Sequence, residues 1–174
     1  MASMVNRMIR AAKLDPQLYE EVEADKGALG QAMGVVVLTS IASGVGSASL
    51  GGASGLLLGT LSALIGWFIW AGLTYLIGTR ILPEPQTSAD IGELLRTTGF
   101  SSSPGVVRVL GLIPGLTVIV FFISGVWMLV AMVIAVRQAL DYRGTLRAVG
   151  VCAIGWIIQL FVLLLLVHFL SRPA

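Results

Sequence analysis

Charge is what this chain has least of. Asp, Glu, Lys and Arg together make up 11% of its 174 residues, against about 25% in an ordinary soluble domain. None of them occurs in the 53 positions between Lys26 and Arg80. A helix needs roughly 20 apolar residues, at about 1.5 Å each, to cross the hydrocarbon core, so this stretch has room for two crossings and a tight connection. With 56% hydrophobic residues and a mean hydropathy of +0.93, soluble globular and disordered readings are excluded.

Reactive groups are equally scarce. The single cysteine, Cys152, excludes an internal disulfide scaffold, and His168 is the only histidine. A bis-histidine haem would need a second one. There is no His-Glu-x-x-His, phosphate loop or pair of intramembrane carboxylates, and every Asp and Glu falls in a segment expected to face water. No catalytic, cofactor-binding or metal-ligating residues are therefore expected. Nucleic-acid binding is excluded by the lack of a basic cluster with interleaved aromatics.

What is present is a set of apolar segments separated by short polar ones, an all-α polytopic membrane protein. Residues 1–26 form a cytoplasmic N-terminal segment that divides at Asp15-Pro16. Before the division Val5, Met8, Ile9 and Ala12 follow helical spacing opposite Asn6, Arg7, Arg10 and Lys13, which predicts an amphipathic helix lying in the headgroup layer. Asp15 can cap a second helix with Pro16 at its first position, a solvated one carrying Glu20, Glu21 and Glu23. Residues 27–174 form the membrane domain, with spans expected near 27–48, 55–78, 100–114, 116–136 and 148–170, the third short and bent. Ser88 or Asp90 begins a further helix in which Ile91, Leu94 and Leu95 oppose Glu93 and Arg96. That pattern reads as a surface helix parallel to the bilayer.

Small residues recur every fourth position at Ser47, Gly51, Gly55, Gly59 and Ala63, and Gly30 and Gly34 repeat the spacing. In lipid such rows let helix backbones approach closely, within the chain or between two copies of it. Residues 100–114 contain Arg108, whose cost of about 3 kcal/mol at the centre of a span roughly cancels the gain from the apolar neighbours. Loop charge decides: five spans put nine of the eleven basic residues on the N-terminal side, whereas four would move the 137–147 loop across. Five spans, with the N-terminus cytoplasmic and the C-terminus outside, are expected. Arg108 is then expected near the cytoplasmic side of its span. Together with Arg96 and Arg137 it is a candidate lipid or partner contact.

The run Gly99-Phe100-Ser101-Ser102-Ser103-Pro104, leading into the third span of such a chain, resembles the Yip1 domain family. The blocks 78–83, 92–100, 107–115 and 136–142 bring the likeness closest to its prokaryotic branch, over about residues 17 to 170. The resemblance implies a non-enzymatic integral membrane protein, in a prokaryotic cytoplasmic membrane, with Gly99, Phe100, Ser101 and Pro104 as the family motif. Eukaryotic relatives associate with Rab-type small GTPases through an Asp-Leu-Tyr-Gly-Pro type motif. Here the nearest residues run Leu14-Asp-Pro-Gln-Leu-Tyr-Glu20, so GTPase binding is not carried over. Three functions remain open: a scaffold or adaptor presenting its N-terminal helix and the 90–98 helix, an accessory subunit of a larger membrane complex such as a bioenergetic one, or a small transporter or channel. The expected partners are the lipid bilayer and a membrane protein or second copy.

Overall fold

A computed structural model describes residues 3–47 and 55–170, and within the fourth and seventh helices below the side chains of 63–76, 145–162 and Leu164. The described chain is all-helical: α1 (Met4–Ala12), α2 (Pro16–Ala24), α3 (Ala28–Gly46), α4 (Gly55–Leu76), α5 (Ile91–Ser101), α6 (Thr117–Ala139) and α7 (Thr145–Leu170). A π-helical turn, Ile77–Ile81, ends α4, and a 3₁₀ helix, Ser103–Leu112, follows α5. Four stretches are long and apolar enough to cross a bilayer: Ala28–Gly46, Ala63–Ile81, Thr117–Ala139 and Thr145–Val162. This is an integral membrane protein.

Local chemistry accounts for the boundaries. The Asp15 side chain accepts from the amide of Gln17 with Pro16 at the first helical position, and Asp90 with Glu93 forms a reciprocal capping box at 2.8 and 2.7 Å. Leu82 N–H bonds to Ile77 C=O, five residues back, which makes the π turn. Tyr142 Oη lies 3.0 Å from the Gly78 carbonyl and 2.8 Å from that of Leu82, serving the carbonyls at that turn.

Two expectations need correction. The helix at 91–101 is not a surface helix, because every residue from Leu94 to Ser101 is buried, against α2, α3, α4 and α6. The apolar spacing was real, but it continues through small residues that fit inside the bundle. Nor are residues 100–114 a separate α-helical span. The α5 helix runs to Ser101, and Pro104, which lacks an N–H, then starts the 3₁₀ segment. At about 1.5 and 2.0 Å per residue the two together cover roughly 36 Å. They lead from the level of Asp90 to that of Gly46, where a Cβ would collide with the Arg108 carbonyl.

The first helix also departs from expectation. Its cationic face turns inward: Arg7 is buried, with Nη2 2.6 Å from Asp25 and Nη1 3.1 Å from Gln31. Arg10 holds Asp15 at 2.7 Å and Glu21 at 2.6 Å. Its apolar residues Val5 and Ile9 are instead 60% and 51% exposed, available to acyl chains. Carboxylates from α2 and the turns beside it neutralise Arg7 and Arg10, which leaves Lys13 as the exposed cation of this segment.

Candidate functional site

One end of the bundle gathers nearly all the charge. There α2, the 82–90 linker, the start of α5 and the 140–144 turn meet. Gln138 Nε2 donates to Glu20 at 2.8 Å, Gln86 Nε2 to the Asp141 carbonyl at 3.1 Å, and Arg147 lies 3.4 Å from Glu84. Between them opens a cleft of about 610 Å³ faced by Glu20, Glu23, Glu93, Asp141, Arg137 and Arg143. Burial, reinforced by the carboxylates of Glu93, Asp141 and Glu20, pushes the Glu23 carboxyl up to about 7, with Arg96 opposing the shift.

Two of the candidate contact arginines belong to this end. Arg96 is buried and its guanidinium donates to the last carbonyls of α2: Nε to Val22 at 2.9 Å and to Glu23 at 3.1 Å, with Nη2 also on Glu23. A cation on a helix C-terminus satisfies carbonyls the helix cannot bond itself. Arg137 borders the cleft and ties the turn after α6 through the carbonyls of Tyr142 and Arg143, both at 3.3 Å.

The motif residues lie in the middle of the bundle. Phe100 is fully buried. A Cβ on Gly99 would stand 2.8 Å from that of Ala32, so α5 and α3 touch there almost backbone to backbone. Ser101 Oγ donates to the Thr98 carbonyl at 2.7 Å, and Pro104 is buried at the start of the 3₁₀ turn. Nearby Trp67 Nε1 donates to Thr98 Oγ1 at 3.2 Å.

Beyond the motif, the threefold repeat of the 3₁₀ helix puts Gly105, Arg108 and Gly111 on one face. That face lies in the crevice between α3 and α6. A Cβ on Gly105 would meet Met128 Sδ at 3.0 Å and Thr39 at 3.3 Å, and one on Gly111 would meet the Gly46 carbonyl at 2.7 Å and Phe121 at 3.1 Å. Between the two glycines, Arg108 Nε donates to Ser124 Oγ at 3.1 Å and Nη1 to Ser43 Oγ at 3.3 Å, with Cζ 5.2 Å from the Phe121 ring centre. Arg108 therefore sits far from the charged end, not near it as expected. The helical run that carries it begins at Ile91 rather than Phe100, so by residue 108 most of the bundle has been traversed.

Sequence reasoning named Arg108 but missed Gly46, Ser43, Ser124, Gly105 and Gly111. The i, i+3, i+6 spacing of the last two about Arg108 was a legible signal, meaningful only for a 3₁₀ helix. Of the small-residue row, Gly51 lies outside the described residues, as do the surroundings of Gly55 and Gly59, and elsewhere those of His168. Ala63 is half-buried. Gly30 has nothing within 4 Å of a built Cβ, and Gly34 meets only Met4 Sδ, at 3.1 Å.

A second, apolar cleft of about 510 Å³ lies beneath α1, walled by Met8 and Ile9 of α1, Leu38 and Ile41 of α3, and Val106 and Val109 of the 3₁₀ segment. Trp127 Nε1 holds the far end of α1 by donating to the Ala12 carbonyl at 2.8 Å. Among the described residues no three His, Cys, Asp or Glu side chains are grouped to hold a metal.

No curated protein and no solved structure is significantly similar to this chain. The sequence model of the Yip1 domain matches residues 17–167, which takes in α2, the motif, the 3₁₀ segment and most of α7. With the match covering most of its length, the chain belongs to the Yip1 domain family, which is not known as an enzyme family.

Proposed function

We propose that this protein is a non-enzymatic, five-pass membrane scaffold or adaptor of a prokaryotic cytoplasmic membrane, with its N-terminus and charged end in the cytoplasm and its C-terminus outside. What carries the reading is the gathering of all nine carboxylates and nine of eleven basic residues on the segments of one end. The surface a membrane-protein partner engages is the charged cleft rather than α5 or the basic side of α1, because α5 is buried from Leu94 on and Arg7 and Arg10 are paired within the chain. Reversing charge in the cleft with Arg137→Glu should reduce a partner or second copy recovered with the full chain from mild detergent, read by native gel and mass spectrometry. A wild-type chain recovered only as a lone monomer, or a substrate-dependent flux in reconstituted vesicles, would overturn the adaptor reading.

The five passes are tested separately. In a chain with Cys152 replaced, cysteines introduced at 85–90 and at 143–145 should react from the same side as the N-terminus. A cysteine at 144 reacting from the opposite side would sink the five-pass topology. A second reading, an accessory subunit of a larger membrane complex such as a bioenergetic one, is favoured by the open lateral face of α7, where Trp156, Ile157 and Phe161 are each about 60% or more exposed. The same native gel distinguishes it, since a subunit migrates in a stoichiometric assembly of several different chains.

A further inference from the structure

Arg108 has no anionic partner among the described residues. Every Asp and Glu of the chain belongs to α2 or the turn beside it, the 84–93 region or the turn after α6, all at the charged end. The guanidinium lies beside Ser43, about 22 Å along α3 from Ala28, and beside Ser124, about 10 Å from the start of α6 at Thr117. No Asp or Glu side chain of this chain reaches it. A second copy packed in the same orientation would carry its own carboxylates at the same wrong depth.

The two serines orient the group without neutralising it. Ser43 Oγ donates its hydrogen to the Thr39 carbonyl at 2.9 Å and Ser124 Oγ to that of Phe121 at 3.2 Å, so towards Arg108 both only accept. Of the five guanidinium N–H groups, Nε and one on Nη1 are used. The remaining three, on Nη1 and Nη2, have no acceptor among the described residues, and two of them form the edge that grips two oxygens of one anion. Arg108 is itself half-buried, and its neighbours on the other faces of the 3₁₀ helix, Val109, Leu110, Leu112 and Ile113, are apolar and exposed. Such a surface on a membrane bundle faces lipid, and the anionic group within lipid at the end of a span is the headgroup phosphate.

We propose that Arg108 holds the phosphate of a phospholipid in the leaflet opposite the charged end, with Ser43 and Ser124 fixing the guanidinium and the apolar rim taking the upper acyl chain. The site is independent of the adaptor reading and needs only that the bundle lie in a bilayer. The full chain in mild detergent is offered phosphatidylglycerol, phosphatidylcholine or diacylglycerol of the same acyl chains, and bound lipid is counted by native mass spectrometry. Wild type should retain both phospholipids over diacylglycerol by on the order of tenfold, as a charge-assisted bidentate contact provides. Arg108→Gln should abolish that preference, and Arg108→Lys should keep part of it.

If Arg108→Gln does not fold, the Ser43→Ala, Ser124→Ala double variant, which retains the charge, should still weaken the preference. Equal retention of diacylglycerol by wild type, or an unchanged preference in Arg108→Gln, overturns the proposal. Inorganic phosphate displacing the phospholipid would reassign the site to a soluble anion. A co-purifying protein lost in Arg108→Gln with lipid retention intact would reassign it to a partner's carboxylate. Both of those outcomes also overturn the proposal.

Discussion

Glu23 makes the fold sensitive to pH. Its carboxyl titrates near 7 in the folded chain against an ordinary 4.5, so the fold favours the protonated form. The stability tied to this group is complete below the ordinary value and is lost as pH rises through about 7. Asp15 and Glu21, held low by Arg10, and Asp25, held low by Arg7, work in the opposite sense but only in acid. The thermal aggregation midpoint of the wild type should therefore fall between about pH 5 and pH 8, while Glu23→Gln should be flatter and higher at the alkaline end. A parallel decline in the variant would assign the response elsewhere. Glycines make the second residue-scale test. Gly46→Ala should cost about 1–3 kcal/mol or more, because its Cβ collides with a backbone carbonyl that cannot swing aside. Gly30→Ala, with nothing within 4 Å, should be neutral or gain up to about 1 kcal/mol from helix propensity. Aggregation midpoints of the two variants in one detergent decide the matter. The sequence shows that small residues are plentiful in α3. Which of them meets another backbone depends on Arg108, 62 positions beyond Gly46, and no local spacing reveals it.

At the scale of elements, capping and proline chemistry were readable and burial was not. Asp15-Pro16, Asp90 with Glu93, and the proline-bounded stretch after Phe100 all behave as their residue types demand. The 91–101 helix misleads because Ile91, Leu94 and Leu95 give the same periodicity whether the opposite face meets water or other helices. Arg96 reinforced the surface reading, since its partners are backbone carbonyls of Val22 and Glu23 that no sequence pattern advertises. The first helix misleads in the reverse way: Asp15, Glu21 and Asp25 pair with Arg7 and Arg10 within the chain, and Val5 and Ile9 are left exposed. Removing residues 1–14 should therefore leave the spans inserted yet lower the aggregation midpoint, since Ala11, Met4 and Met8 are withdrawn from the core and Trp127 loses its acceptor. Trp127→Phe should reproduce about 1 kcal/mol of the loss. An unchanged midpoint after truncation would mean that α1 adds nothing to the packing of the bundle.

Across the whole molecule, the order and rough extent of the long apolar helices were legible because hydropathy over some 20 residues is a strong signal. The run of α5 and the 3₁₀ segment through the bundle was not, since part of its length comes from a helix type with a longer rise and part from residues that look polar. The separation of charge between the two ends bears on how the chain enters the membrane. Carrying one elementary charge through a potential of 100 mV takes about 2.3 kcal/mol of work. The connection between α3 and α4 carries no ionisable group at all, and the stretch from α5 to α6 carries Arg108 alone. In the proposed five-pass topology, each hairpin can thus be threaded from the charged side almost without moving charge through the field. Biogenesis of this protein should consequently proceed in cells whose membrane potential has collapsed, with Arg108 as the single hairpin residue whose passage the voltage opposes.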